Sequence, residues 1–576
     1  MSRSSESWNS RLGVILAVAG SAVGLGNFLR FPGQAAQFGG GAFMLAYCIA
    51  FVIIGLPICW AEWTIGRHGG KTGFHSSPGI LNAVVGHPIG KYLGILGIII
   101  PTCIYIYYVN VEAWTLGYAI NFFMGNMEFA TADDSTGFWA SFAGLGGNGD
   151  ALKFGFDSAL PYLLIVFAIN FYLIYRGVSQ GIETFCKYAI PVLLVIALII
   201  LVRVMTLGIP DPSQPERSIA NGLGYMWNPQ KVLLAEKIDG AWEPVAAMEE
   251  LVGTSVIEAA EAKVAADPEN FKIVERSIWE QLANPDLWLA AAGQIFFSIS
   301  IGFGIIINYA SYLQENEDVV LSGFAATSAN EFCEVGLGGL ITLPAAVAFL
   351  GIAGAAGGTF GLGFQVLPLV FSEMTFGSIF GGMFFLLLFL AAVTSSISMV
   401  QPGIAFIEEA LDLNRKQSIG ILGIITAMGA MVVLYFSDGI KAIDTLDYWA
   451  GTFLLFVLAM AEIIIFSWVF GVDRGLEEAN RGAVFKIPRF FRYIMKFVCP
   501  LFLMVIFFFW CAKNIFGATW IGGTGEVVYY ISDLFRDGNH AAWISVTMII
   551  FVGLFTFFLL LGSPKYQDYL KKNTHP

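Results

Sequence analysis

Charge is scarce in this chain. Only 13% of its 576 residues are Asp, Glu, Lys or Arg, against about 25% in a soluble domain, so most of the molecule is not wetted surface. Histidine is scarcer still. The five, His68, His75, His87, His540 and His575, fall in loops or tails, and no HExxH or paired-histidine spacing occurs, which argues against a metallohydrolase. The seven cysteines, Cys48, Cys59, Cys103, Cys186, Cys333, Cys499 and Cys511, lie within or at the ends of apolar stretches, so neither a disulfide framework nor a metal knuckle is expected. A net charge of −13 repels phosphate and argues against nucleic acid as a partner. With no catalytic dyad in view, no enzyme is expected.

What is abundant is apolar. Hydrophobic residues make up 57% of the chain, with 51 Phe and 14 Trp, types that suit lipid-facing and interfacial positions. A span needs about 20 apolar residues. Twelve such stretches are expected, at about 11–37, 41–66, 90–124, 158–176, 180–206, 286–312, 319–350, 379–411, 417–436, 442–469, 490–514 and 541–562. The even-to-odd connections hold Arg67, Lys71, Lys91, Lys187, Arg415, Lys416, Arg474, Arg481, Lys486, Arg489 and Arg492, whereas the short odd-to-even connections are nearly free of Lys and Arg. The positive-inside rule then puts both termini in the cytoplasm. Met1 to Ser10 is polar with no cleavage signature after it, so no signal peptide is expected.

Two stretches break the helical pattern. The first is Gly20-Ser21-Ala22-Val23-Gly24-Leu25-Gly26-Asn27. The second is Ser298-Ile299-Ser300-Ile301-Gly302-Phe303-Gly304. Glycine costs roughly 1 kcal/mol relative to alanine in a helix interior, and a broken helix in lipid exposes backbone groups that need partners. Glycines in spans also serve close helix packing. Two clusters five spans apart, each with polar side chains, favour a binding site between the halves of an inverted repeat. The first cluster is no nucleotide loop: it reads GxxxGxG, and no GK[ST] follows.

Between the fifth and sixth stretches lies an acidic insertion, about 207–285, including Glu236, Glu243, Glu249, Glu250, Glu258, Glu261 and Glu275. Its apolar residues recur at helical spacing around 245–266, which predicts short amphipathic helices on the outer face. It reads as a solvated cap, with partner binding as the alternative. The stretch 360–374 is apolar without spanning length and is expected to fold back on the spans as an external loop.

A set of ordered motifs carries a resemblance. Arg11-Leu12-Gly13 and Gly24-Leu25-Gly26-Asn27-Phe28-Leu29-Arg30-Phe31-Pro32 come first, then Gly39-Gly40-Gly41-Ala42-Phe43, Glu62-Trp63, Tyr107-Tyr108 and Glu112-Ala113-Trp114-Thr115-Leu116-Gly117. Gly293-Gln294-Ile295-Phe296-Phe297-Ser298, Leu321-Ser322-Gly323, Thr394-Ser395-Ser396, Gln401-Pro402 and Asp447-Tyr448-Trp449-Ala450-Gly451-Thr452 follow. Together they resemble the neurotransmitter:sodium symporter family, above all its bacterial amino-acid-transporting members. The resemblance implies an all-α membrane protein of about twelve transmembrane helices, a LeuT-like five-plus-five inverted repeat with unwound first and sixth helices. Its parts would be a cytoplasmic segment 1–10, a first repeat 11–206, the extracellular loop 207–285, a second repeat 286–469, two further helices within 470–562 and a cytoplasmic tail 563–576. The implied location is the inner cell membrane.

By the same resemblance one sodium ion would use the Ala22 carbonyl, Asn27, Ser298 and Asn330, with Ser298 standing where the family usually has Thr. A second would use carbonyls of Gly20, Val23 and Ala391 and the hydroxyls of Thr394 and Ser395; the alternative for those hydroxyls is a back-bond to helix carbonyls. The substrate carboxylate would meet the N–H groups of Leu25 and Gly26, a positive helix end, and the Tyr108 hydroxyl. The amino group would meet Ala22, Phe297, Ser298 and Ser300, and the side chain Ile104, Phe297, Phe303, Ser395 and Met399. Ordinary interhelical packing is the alternative for these apolar residues. Gly24 lacks the aspartate of the amine-transporting members, so a neutral amino acid with its own carboxylate is implied. Glu334 lies one helical turn after Asn330. It would supply the negative charge that chloride supplies elsewhere, so no chloride is expected, and a proton on Glu334 during the return step is a further reading. A permanently hydrogen-bonded structural glutamate is the alternative. Arg30 and Asp447 would form the outer gate. At the inner gate, Ser5 replaces the family's arginine with Arg3 nearby, Glu409 takes the aspartate position, and Trp8 would plug the vestibule. The function implied is sodium-coupled import of a neutral amino acid, with a non-transporting receptor or regulatory binder as the alternative. A homodimer stays open.

Overall fold

The computed structural model describes residues 8, 10–214, 217–238, 240–245, 251, 253–355, 358–521, 525 and 527–567. Each of the twelve expected stretches carries a helix or a helix pair. Among the described residues, nine helices are long and apolar enough to cross a membrane: Gly41–Gly70, Ile89–Phe123, Val178–Met205, Val319–Ile352, Gly377–Leu411, Arg415–Tyr435, Asp438–Val469, Phe491–Asn514 and His540–Gly562. A bent pair, Arg11–Ala22 with Gly26–Gln37, meets the test together. Ala159–Tyr175 is apolar but shorter, and the sixth stretch is split into Pro285–Ser298 and Ile305–Ala310. These are called spans one to twelve in chain order.

The helix starts follow local rules. The Ser10 hydroxyl accepts from Gly13 N at 3.0 Å and opens span one, and the Asp318 carboxylate accepts from Leu321 N at 2.8 Å and opens span seven; both satisfy first-turn donors that a helix leaves free. Spans three and eight are the centre of the bundle. Their most apolar windows are 83% buried, against 22% for span twelve, so span twelve presents most of its surface outward, as a lipid-facing helix does. The stretch 360–374 folds back as expected, in three short helical pieces with Leu362, Phe364, Leu367 and Val370 buried.

The insertion departs from the expectation of helices alone. Its helix Thr254–Ala266 packs on a three-stranded antiparallel sheet of β1 (Lys231–Ile238), β2 (Ala241–Pro244) and β3 (Phe271–Arg276), in the order β2-β1-β3. Leu234, Leu251 and Ala260 form its own small core, covered by Val256, Ile257, Phe271 and Ile273. The overlooked signal is Asp239-Gly240. Ile238 pairs with Ala241, so the chain reverses between them, and Asp-Gly in a sequence is a favoured two-residue hairpin signal. Gly240 takes φ +86° there.

The two ends of the bundle are distinguished by their contacts. Trp8 donates its indole N–H to the Tyr309 carbonyl at 3.1 Å, and Tyr566 donates to Glu409 at 2.7 Å, so the first and last described stretches lie at one end, called the terminal end. The insertion lies at the other, where the Tyr225 hydroxyl donates to the Ala36 carbonyl beyond the break in span one.

Candidate functional site

The two broken spans meet each other. Span one bends by 47° between its halves. Val23 N closes the first half on Ala19 O at 2.7 Å, and Gly24 N is satisfied by Asn27 Oδ1 at 2.8 Å, so the asparagine caps the break that the glycines allow. Span six unwinds over 299–304, where Ser300, Gly302 and Gly304 take φ of 55°, 76° and 75°. Such angles cost little for glycine and about 1–3 kcal/mol for other residues. Ser300 carries that strain and donates its hydroxyl to Ser21 O at 3.0 Å, tying one break to the other. Gly302 N donates to Glu62 Oε1 at 2.5 Å.

Beside this junction sits a buried polar cluster. Asn27 Nδ2 donates to Asn330 Oδ1 at 2.8 Å, and Asn330 Nδ2 donates to Ser298 Oγ at 2.6 Å. Ser298 and Gln294 both donate to Glu334. Tyr47 stands beside them and donates to Glu331 at 3.0 Å. Asn27, Gln294, Asn330 and Glu334 are all fully buried. A buried carboxylate persists only with donors or a cation around it, and this one has a fan of donors from three spans.

The hydroxyls of span eight lie on the other side of the break. Thr394 and Ser395 both donate to Ala391 O, at 2.9 and 3.1 Å, and Ser395 also reaches Ser21 O at 3.1 Å. The back-bond alternative is thus realised in this structure, and the same contacts bring the Ala391 and Ser21 carbonyls together with both hydroxyls. Gly20 packs against Thr394, where a Cβ would lie 3.3 Å from Thr394 Cβ, and Val23, three residues further on, is buried.

Between the two groups is a cavity of about 10 Å3, room for roughly one water. Ala22, Gly24, Gly26 and Tyr108 line one side, Phe297, Ser298, Ser300 and Phe303 another, and Ser395, Met399 and Ser21 the rest. Leu25 N donates to the Tyr108 hydroxyl at 3.4 Å, so an amide of the outer half-helix and a phenol meet at the cavity wall. A solute the size of an amino acid has to part these walls. Of the residues expected at the substrate, Leu25 lines the vestibule above and joins the cavity-lining Tyr108 through its N–H, and Ile104 is fully buried and lines neither space.

That vestibule, about 80 Å3, is separated from the cavity by Gly26, Tyr108 and Phe297. Arg30 and Asp447 both line it but, among the described residues, form no ion pair with each other. Arg30 stacks on Phe297, 4.7 Å from the ring centroid, and donates to Gly293 O at 3.2 Å. Asp447 accepts from the Tyr107 hydroxyl at 2.6 Å.

At the terminal end Trp8 meets Tyr309 edge-on at 5.2 Å. Arg3 and Ser5 lie outside the described residues. Glu409 accepts from His75 N at 2.5 Å, from Ser76 Oγ at 2.5 Å and from Tyr566. Arg11 of span one pairs with Asp318 at 3.0 Å. Sequence reasoning gave no role to two further buried acids. Glu62 holds the span-six break, and Glu112 accepts from Asn170 at 3.0 Å and Ser396 at 2.5 Å. The signal was available: an acid inside an apolar span marks a functional position by default.

Comparison with known proteins places this geometry. The sequence profile of the sodium:neurotransmitter symporter family matches residues 5–146 and 269–519. An uncharacterized sodium-dependent transporter of Methanocaldococcus jannaschii is 27% identical, over 87% of this chain and 90% of its own length. One of Haemophilus influenzae is 28% identical, over 87% and 97%. The sodium-dependent neutral amino acid transporter B(0)AT1 of Mus musculus is 22% identical, over 87% and 81%. Among solved structures, MhsT in complex with L-phenylalanine superposes with a TM-score of 0.68 at 25% identity, covering 87% of this chain and 99% of the other.

Proposed function

The chain belongs to the sodium:neurotransmitter symporter family, and on that premise we propose that it carries a neutral α-amino acid into the cell with sodium, by alternating access. Its family consists of sodium-dependent membrane transporters, not enzymes. The observation that carries the finer reading is the junction of the two broken spans. The Leu25 N–H meets the Tyr108 hydroxyl, a pair of donors that a substrate carboxylate would take from each other, and Gly24 leaves no side chain to compete with it. The neutral amino acid transporter among the relatives and the phenylalanine bound to MhsT support the substrate class.

In this reading the Ala22 carbonyl, Asn27, Ser298, Asn330 and the substrate carboxylate hold one sodium ion. The carbonyls of Gly20, Val23 and Ala391 and the hydroxyls of Thr394 and Ser395 hold a second. Both donor sets are oxygens, which suit a hard cation. Glu334, bonded to Ser298, Gln294 and Asn330, balances the charge in place of chloride and takes up a proton when the ions leave. Spans one to five and six to ten act as the two repeats, with spans eleven and twelve outside them. The terminal end faces the cytoplasm of the inner membrane, and the insertion faces out. Sodium-dependent uptake by the purified protein in liposomes, across all common amino acids, tests the reading. A neutral amino acid accumulated with sodium and not with potassium is the expected result; binding without accumulation would identify a receptor.

A further inference from the structure

The C-terminal segment 563–567 packs into the terminal end of the bundle where a dangling tail would not. Tyr566 is fully buried. Its ring stacks on Phe74 at 5.3 Å and meets Phe406 at 6.0 Å. Its hydroxyl lies 2.7 Å from both Glu409 Oε2 and Ser76 Oγ. Lys565 beside it donates to Gly73 O at 3.1 Å and lies 4.0 Å from Glu409. One short segment thus bridges the loop between spans two and three to the end of span eight, and supplies both a donor and a positive charge to the acid expected at the inner gate.

From Glu409 the bonds continue to the broken span. Its other oxygen accepts from His75 N. The His75 carbonyl accepts from Asn308 Nδ2 at 2.7 Å, its ring nitrogen lies 2.9 Å from Ser311 Oγ, and its ring stacks on Tyr312 at 4.2 Å. Asn308 belongs to the short second half of span six, Ile305–Ala310, which also carries Tyr309, the partner of Trp8. The tail therefore reaches the half-helix that has to move, through one carboxylate and one loop residue.

We infer that the segment 563–567 is the strap that keeps the terminal end closed, with Tyr566 positioning Glu409 and, through His75, the second half of span six. This rests on the alternating-access reading and names what regulates its inner gate. Releasing the strap frees Glu409 and His75 and lets the half-helix swing outward. A tyrosine that only anchored span twelve would bond to its own neighbours; this one bonds to the gate.

A native thiol reports the opening. Cys186 is fully buried, and its sulfur lies 3.1 Å from where a Cβ on Gly20 would be, under the first half of span one. Cys499, fully buried in span eleven, is the control. The full-length protein in liposomes is treated with N-ethylmaleimide in potassium buffer, and labelling is read peptide by peptide. Tyr566→Phe keeps the ring and loses the hydroxyl bonds; a second variant ends at Gly562. We expect Cys186 labelling to rise at least fivefold in both, with Cys499 unchanged. Unchanged Cys186 labelling in Tyr566→Phe overturns the strap, as does a joint rise at Cys186 and Cys499, which marks general loosening. The readout needs no substrate: absence of sodium-driven uptake in the unaltered protein would overturn the transport reading and leave the labelling result to decide the strap.

Discussion

Gly24 matters for the side chain it lacks. A Cβ there would sit 2.9 Å from Ser395 Oγ and 3.2 Å from the Tyr108 hydroxyl, on the spot proposed for the substrate carboxylate. Gly24→Asp puts a second negative charge at that spot, so affinity for an amino acid should fall at least about tenfold, a loss of roughly 1.4 kcal/mol. Equilibrium binding with labelled substrate checks this, and unchanged affinity would move the carboxylate elsewhere. Glu334 makes the complementary case. Glu334→Ser replaces a buried charge with a neutral hydroxyl, and uptake in chloride-free buffer should drop by about tenfold or more. Full chloride-free uptake in that variant would end the charge-balance reading. Asn27, Ser298 and Asn330 are grouped in the sequence by the family resemblance, and Glu334 also because an acid stands out in an apolar span. Ser21 was not legible there. It contributes through its backbone carbonyl, which takes Ser300 and Ser395 together, and no side-chain pattern announces a carbonyl.

Elements carry the motion and its restraints. The break in span six needs Gly302 at φ +76°, and a Cβ there would meet Ala459 Cβ at 2.9 Å. Gly302→Ala adds strain on the order of 1–3 kcal/mol at a hinge, so uptake should slow by about tenfold while the melting temperature moves only a few degrees. Uptake as fast as the unaltered protein's would show that the break is not a hinge. At the terminal end, the helix Val472–Ala479 clamps span two: Arg67 donates to the carbonyls of Glu317, Glu478 and Arg481. Burial raises the Glu478 carboxyl, but its hydrogen bond to Lys71 and the charges of Lys71, Arg67 and Arg481 outweigh that and hold it below its ordinary value. Its folded pKa is depressed, so its contribution is present at neutral pH and is lost as pH falls through that value. Glu478→Gln should therefore lower the melting temperature at pH 7, with the gap narrowing below about pH 4; a constant gap would contradict the clamp. The helices themselves were legible from length and apolar content. The sheet was missed because Val232, Leu233 and Leu234 form an unbroken apolar run that periodicity does not sort into strand or helix. The Asp239-Gly240 dipeptide in the sequence is the signal that does sort it.

At the scale of the whole molecule, span one is held at both ends. The insertion fixes Tyr225 to Ala36 on one side, and Trp8, Arg11 and the C-terminal segment fix the terminal end on the other. Under the proposed alternating access, these two sets of contacts would open one at a time. In the proposed reading, two sodium ions entering with a zwitterion would move two charges, each worth about 2.3 kcal/mol per 100 mV. An inside-negative potential should therefore drive accumulation, and return of a proton on Glu334 would halve that electrical drive. The most direct test is accumulation of labelled neutral amino acids by liposomes holding the purified protein, with inward sodium, inward potassium, or sodium with chloride replaced by gluconate. The account predicts accumulation above the external concentration with sodium, the same with gluconate, and none with potassium. Uptake that is equal with sodium and potassium would contradict it.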